Sequence, residues 1–146
     1  MANTEKYLIS IIGEQKVDGE SDRIEVMTTG HFMKKGERFF IGYKEYSQEE
    51  PMSYYDNLIK VDGGVVTIIR KGEIRSQLIL ELNKRHQCVY NTPVGNMTIG
   101  VFTRSMINKL TEKGGRLEVS YTLDFNSDMV SENSFKIKIE KQTNEG

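Results

Sequence analysis

The sequence has one cysteine, Cys88, two prolines, Pro51 and Pro93, and no tryptophan. A single thiol cannot close an intrachain disulfide. A disulfide-stapled secreted fold is therefore excluded, and a reducing cytosol is the natural compartment. Two isolated prolines exclude a proline-rich linker. Long apolar runs are missing too, since uninterrupted stretches reach only a few residues. A transmembrane helix is not expected from such short runs. Met1–Lys6 has no basic stretch leading into an apolar one, so no signal peptide is expected either. Excess charge is also lacking. The formal net charge is -1, whereas a protein that neutralises many phosphates usually carries a basic surplus. Nucleic acid and membrane are both disfavoured as partners.

What is present is alternation. The chain has 146 residues, 37% hydrophobic and 28% charged, a balance that fits one globular domain over residues 1–146. Apolar residues recur with period two, the signature of strands with one buried face. Leu117, Val119, Tyr121, Leu123 and Phe125 alternate with Arg116, Glu118, Ser120, Thr122 and Asp124. Phe135, Ile137 and Ile139 do the same against Lys136, Lys138 and Glu140, and Leu78, Leu80 and Leu82 against Gln77, Ile79 and Glu81.

Turn signals separate these runs: Asp18-Gly19, Lys35-Gly36, Asp62-Gly63-Gly64, Lys71-Gly72, Pro93-Val94-Gly95, Lys113-Gly114-Gly115 and Asn126-Ser127-Asp128. Asp-Gly and Gly-Gly supply the positive φ of tight hairpins. Ten strands are expected, over 5–14, 22–29, 37–47, 55–62, 65–71, 74–83, 86–91, 96–105, 116–126 and 133–141. Residues 105–112 suit a helical turn or a continuation of the preceding strand, and continuation is favoured. No helical stretch is long enough for a parallel crossover. Antiparallel strands with one apolar face must close or stack. Closure removes edges that this chain does little to blunt with proline. The expected fold is all-β, a closed antiparallel meander barrel, with a sandwich second.

Several local patterns then occur together in order: Thr28-Thr29-Gly30, Tyr43-Lys44-Glu45, Arg70-Lys71-Gly72, Tyr90-Asn91-Thr92-Pro93-Val94-Gly95, Thr103, and Gly115-Arg116-Leu117-Glu118-Val119-Ser120-Tyr121-Thr122-Leu123. In that combination the chain resembles the YwiB-like family of small bacterial proteins, over roughly Ile9 to Ile139. The resemblance implies a calycin-like, lipocalin-type barrel in the cytoplasm of low-GC Gram-positive bacteria. It implies no activity, no cofactor and no site residues. One departure stands out. Family members have a glycine shortly after the strand at Leu78–Leu82, where this chain has Asn83-Lys84-Arg85. The Gly-x-Trp signature of secreted lipocalins is absent, as is the Arg-x-Tyr pair of fatty-acid-binding barrels.

Candidate chemistry is sparse. His86 and Cys88 share a strand face and offer two soft ligands, but a zinc site needs at least three. Positions two apart on a strand also sit too far apart for a Cys–His nucleophilic pair. Gly95-Asn96-Met97-Thr98-Ile99-Gly100 resembles the start of a phosphate loop, yet Val101 stands where lysine is required and no helix follows. The Asn96-Met97-Thr98 sequon has no meaning in a cytosolic protein. The polar segment 47–54, with Glu45, Tyr46, Glu49, Glu50, Tyr54, Tyr55 and Asp56 in and around it, could cover a barrel mouth or be a solvated loop.

Arg70 shares parity with Val66 and Ile68, and a buried arginine needs a partner. Glu45 and Tyr90 are candidates for that role. Arg70, Glu45, Tyr90, Arg104 and Tyr43 form the expected polar set of the barrel interior. The set would either anchor an anionic head group or simply satisfy a polar core. Lys84, Arg85, Lys109, Lys113, Arg116, Lys136, Lys138 and Lys141 read as a charge-mixed outer face without the stacking aromatics a single-stranded nucleic acid needs.

Two functions compete. One is a barrel that holds a small apolar or amphipathic ligand. The other is a filled barrel that binds a protein or RNA on its outside. An enzyme is the least supported reading, because no nucleophile, base or metal cage can be named. No cofactor is implied, and a homodimer is left open.

Overall fold

The computed structural model describes residues 6–46, 54–126 and 128–142. Ten strands follow in order: β1 (Tyr7–Val17), β2 (Glu20–Lys35), β3 (Arg38–Tyr46), β4 (Tyr54–Asp62), β5 (Val65–Lys71), β6 (Arg75–Glu81), β7 (Arg85–Thr92), β8 (Gly95–Thr111), β9 (Gly114–Phe125) and β10 (Asp128–Lys141). Each pairs antiparallel with its neighbours in sequence, and β1 pairs with β10 to close the barrel. The alternating faces of the sequence dictate this outcome, since closure gives every apolar face an interior. Among the described residues there is no helix, and so none long and apolar enough to cross a membrane.

Strand number and order match the sequence expectation, but several strands run longer: β1 reaches Val17, β10 starts at Asp128 instead of 133, and β2 and β8 extend furthest. β2 extends through Lys35, past the Thr28-Thr29-Gly30 stretch at which the expected strand ended. Gly30 is a site of close approach instead of a turn. A Cβ there would collide with the Gly42 carbonyl oxygen and the Ile9 side chain. β8 continues to Thr111 as strand and carries a bulge between Thr103 and Ser105. The bulge adds one residue and resets parity, so the Met106–Leu110 spacing that suited a helical turn belongs to a strand. In the turn between β6 and β7, Asn83 adopts φ +60. Asparagine tolerates this left-handed conformation better than other non-glycine residues.

The interior is polarised along the barrel axis. One end is defined by the turns after β2, β4, β6 and β8, and the opposite end by those after β1, β5, β7 and β9. The first end is dry. Ile9, Ile41, Val61, Val66, Leu80, Val101 and Leu117 are all 0% exposed. Each such aliphatic side chain contributes about 1.5–3 kcal/mol by leaving water. Tyr7, Phe32 and Phe39 stack there, with ring centroids 5.3 and 5.8 Å apart. On the outside Arg85 forks onto Asp124 over Gly100, with Nε 3.0 Å from Oδ2.

Candidate functional site

The interior changes character at one level. Tyr43 pairs with Asn57, Asn57 with Arg70, Arg70 with Ser76, Ser76 with Tyr90, and Tyr90 with Met97. Residues directly opposite in a ladder share a face, so these six side chains form one inward-facing rung across β3 to β8. The rung below it is apolar: Ile41, Ile59, Ile68 and Leu78. The sheet register thus builds a polar girdle directly above the core.

Arg70 is the centre of this girdle. Its Nη2 donates to Glu45 Oε2 at 3.2 Å, and Asn57 Nδ2 donates to Glu45 Oε1 at 3.5 Å. The guanidinium carbon lies 4.1 Å from the centroid of the Tyr55 ring, a cation–π contact that fixes the plane of the fork. Its Nε is buried and has no hydrogen-bond partner among the described residues. Arg70 and Glu45 side chains are 40% and 41% exposed, so their open sides reach solvent while that one donor does not. An orphaned buried donor is uncommon and calls for an acceptor. The buried Thr103 Oγ1 is a second such atom.

Three tyrosines surround the girdle. Burial pushes the Tyr43 hydroxyl up to about 12, and the Glu45 carboxylate adds to the rise while Arg70 opposes it. Burial pushes Tyr121 up to about 12 as well, with Tyr90 contributing. Tyr90 is raised in the same way, first by burial and then by Cys88. All three are neutral donors at physiological pH. An unfolded chain ionises its tyrosines near 10, so the native state gains stability from Tyr43 and Tyr121 fully below that pH. The gain is lost as pH rises from 10 through about 12. In a titration followed by tyrosinate absorbance, Tyr43→Phe and Tyr121→Phe should each remove amplitude from the last part of the curve. Loss from the first part would refute the burial of these hydroxyls.

Above the girdle the inward face is apolar but wet. Ile24 and Phe125 there, and Met97 at the end of the rung itself, point inward by register yet are 66%, 44% and 42% exposed. Half-buried Ile11, Val26, Ile99 and Leu123 continue the surface down to the core. β2 pairs with β1 from Glu20 to Gly30 and with β3 only from His31 onward. Beyond Gly42, therefore, β3 runs without β2 beside it. A cleft of about 370 Å³ opens between them, lined by Thr28, Gly30, Tyr43 and Asn57 among others.

The structure brings Arg70, Glu45, Tyr43 and Tyr90 together at this level. Arg104 is not among them, contrary to its expected place in the interior. It follows inward-facing Thr103 at the β8 bulge and so lies on the outer face, where it pairs with Glu132 at 3.1 Å. Asn57, Tyr55 and Tyr121 were missed, although Asn57 keeps the parity of Ile59 and Val61 and could have been found that way. His86 and Cys88 share the interior face but serve different partners. His86 Nε2 lies 2.9 Å from Glu81 Oε1, and the Cys88 sulfur accepts from the Ile79 amide at 3.4 Å. The polar loop expected over the mouth, including Glu49 and Glu50, lies outside the described residues. The basic residues of the outside are interleaved with acids, as in Lys138–Glu140 at 2.8 Å and Arg116–Glu118 at 3.4 Å.

Residues 9–137 match a family described as a domain of unknown function, DUF1934. The chain is similar to the uncharacterised β-barrel protein YwiB of Bacillus subtilis (strain 168), 24% identical over 106 residues, which is 73% of this chain and 72% of that protein. The crystal structure of the Bacillus subtilis ywiB protein superposes with a TM-score of 0.82 at 20% identity, covering 95% of this chain and 93% of that one. At that identity the likeness is one of fold.

Proposed function

Starting from a chain that belongs to the DUF1934 family, a family without an assigned activity, we propose that the open end of the barrel binds a small amphipathic molecule. The carrying observation is the polar rung at Arg70, whose buried Nε has no partner among the described residues, below an apolar surface left exposed on the inside of the barrel. An oxygen-bearing head group would accept from Arg70 and from the neutral hydroxyls of Tyr43 and Tyr90. The apolar body would cover Ile24, Met97 and Phe125, whose exposure to water is otherwise unfavourable. The split between β2 and β3 gives such a molecule a way in. This use of the interior is what calycin-type barrels do with theirs. The lone buried thiol of Cys88 accords with a carrier that works in a reducing cytoplasm.

The test uses anilinonaphthalene sulfonate, an anionic amphiphile that fluoresces on entering apolar sites. The folded protein should bind it with one-to-one stoichiometry, and Arg70→Met should weaken binding at least tenfold while leaving the melting temperature near that of wild type. A charge-to-ligand hydrogen bond of about 1.5–3 kcal/mol corresponds to that loss. Equal binding by wild type and Arg70→Met would place the probe elsewhere and overturn the reading. Native mass spectrometry of protein from its own host is the companion measurement. A bare mass there, together with no probe binding, would favour a filled barrel acting through its outer surface.

A further inference from the structure

The register that opens the barrel also leaves a strand without a neighbour. From Glu20 to Thr29, β2 has β1 on one side and no ladder partner among the described residues on the other. An unpaired edge of this length presents a row of free amide and carbonyl groups, which natural sheets blunt with proline, lysine or a bulge. Here only charge is present, from Glu20, Asp22, Arg23 and Glu25, with no proline, lysine or bulge. The β1–β2 register runs unbroken from Tyr7↔Gly30 to Val17↔Glu20, and the segment Glu-Ser-Asp-Arg-Ile-Glu-Val-Met-Thr-Thr contains no proline or lysine. Apolar residues stand exposed on both faces of this edge, Ile24 at 66% and Met27 at 72%.

We infer that this edge pairs with the same edge of a second copy of the chain, antiparallel, about a two-fold axis through Ile24. The charge pattern selects that partner and that register. Two-fold symmetry requires the axis to pass through one residue of β2 and its copy. An axis at Ile24 sets Arg23 directly opposite Glu25 of the second copy, and Glu25 opposite Arg23, giving two opposite-charge cross-strand pairs. It also stacks Ile24 on its copy and places Asp22 opposite Val26, so no like charges meet. Moving the axis by one residue sets Arg23 against Arg23 or Glu25 against Glu25, which is unfavourable. Within one chain Arg23 already bonds Glu25 at 2.7 Å and lies 3.9 Å from Glu14. Glu14 lies opposite Arg23 on β1, so pairing with a second copy would redirect this guanidinium, whose side chain is 56% exposed, from its own chain's carboxylates to Glu25 of the other. Ser21 to Met27 would pair over about 20 Å and join the two barrels in one continuous sheet. Such pairing would occupy the β2 side of the split proposed as the ligand's way in and cover Ile24 with its copy, so it is tested on the protein without probe.

Analytical ultracentrifugation of the full chain should give twice the 16.8 kDa monomer mass at tens of micromolar. Glu25→Arg should shift the equilibrium at least tenfold toward monomer, and so should Arg23→Glu. The double swap Arg23→Glu with Glu25→Arg should restore the dimer, because the opposite charges then face each other again. Both side chains are more than half exposed, and circular dichroism would verify that each variant folds. Amide exchange in Ser21–Met27 should slow as protein concentration rises. A monomeric wild type overturns the inference. So does a dimer unmoved by the single reversals, or a double swap that fails to restore it.

Discussion

Gly115→Ala is expected to destabilise the barrel by about 3 kcal/mol or more, lowering the melting temperature by roughly 10 °C for a chain of this size. Gly115 has φ +129, a conformation that residues with a Cβ rarely adopt. A methyl there would also overlap the Lys109 carbonyl oxygen and stand 3.1 Å from the Leu110 Cα. Both obstacles are backbone, so no rotamer change can relieve them. They belong to β8, the strand that Gly115 pairs with at Leu110. Gly13→Ala is the control. Its Cβ meets nothing within 4 Å and its φ is ordinary, so the loss of chain entropy in the unfolded state should leave stability unchanged or raised by about 0.5 kcal/mol. Thermal melts of the two variants should therefore move apart. Equal shifts would mean that the β8–β9 hairpin is looser than its register implies.

Leu80→Ala should cost about 3–5 kcal/mol, while Ile24→Ala should stay within about 0.5 kcal/mol of wild type. The two side chains are similar in size and both point inward. Leu80 is 0% exposed and Ile24 is 66% exposed. Urea denaturation would read the contrast directly. The asymmetry is the energetic form of the polarised interior, since the end near Leu80 holds the barrel together and the end near Ile24 is free to do something else. If Ile24→Ala cost as much as Leu80→Ala, the open end would have to be closed in solution.

Most of the architecture was legible because strands announce themselves twice, by parity and by the turns that end them. β9 shows both signals, whereas β10 begins at Asp128, ahead of the expected 133, across a register shift between Met129 and Ser131. The end of β2 was misjudged because Thr28-Thr29-Gly30-His31 is polar and contains a glycine, and so imitates a turn. In the fold, Gly30 is small because the Gly42 backbone passes against it. The site was half legible. Arg70 could not be assigned a face from β5 alone, since Val65–Ile69 is apolar on both sides apart from Thr67. Register settles it, because Arg70 stands opposite Asn57, and Asn57 opposite Tyr43. Arg104 was misplaced because its parity was not followed, since Met97, Ile99 and Val101 face inward and plain alternation sets Arg104 outward before the bulge resets the strand. The opening between β2 and β3 was invisible for a different reason. It comes from where one strand changes neighbours, and no residue type encodes that.

The seam between β1 and β10 governs how the molecule must be made. Tyr7 pairs with Lys141 and Ile9 with Ile139, contacts that span nearly the whole chain. Hairpins such as β4–β5 can form as soon as they leave the ribosome. Closing the seam has to wait for the last strand and carries the largest loop-closure entropy in the molecule. Until then β1 and β9 each expose an edge that β10 will later occupy on both sides. Folding should accordingly show a fast phase of local pairing and a slower, cooperative closure. The nascent chain is most open to aggregation in the interval between them.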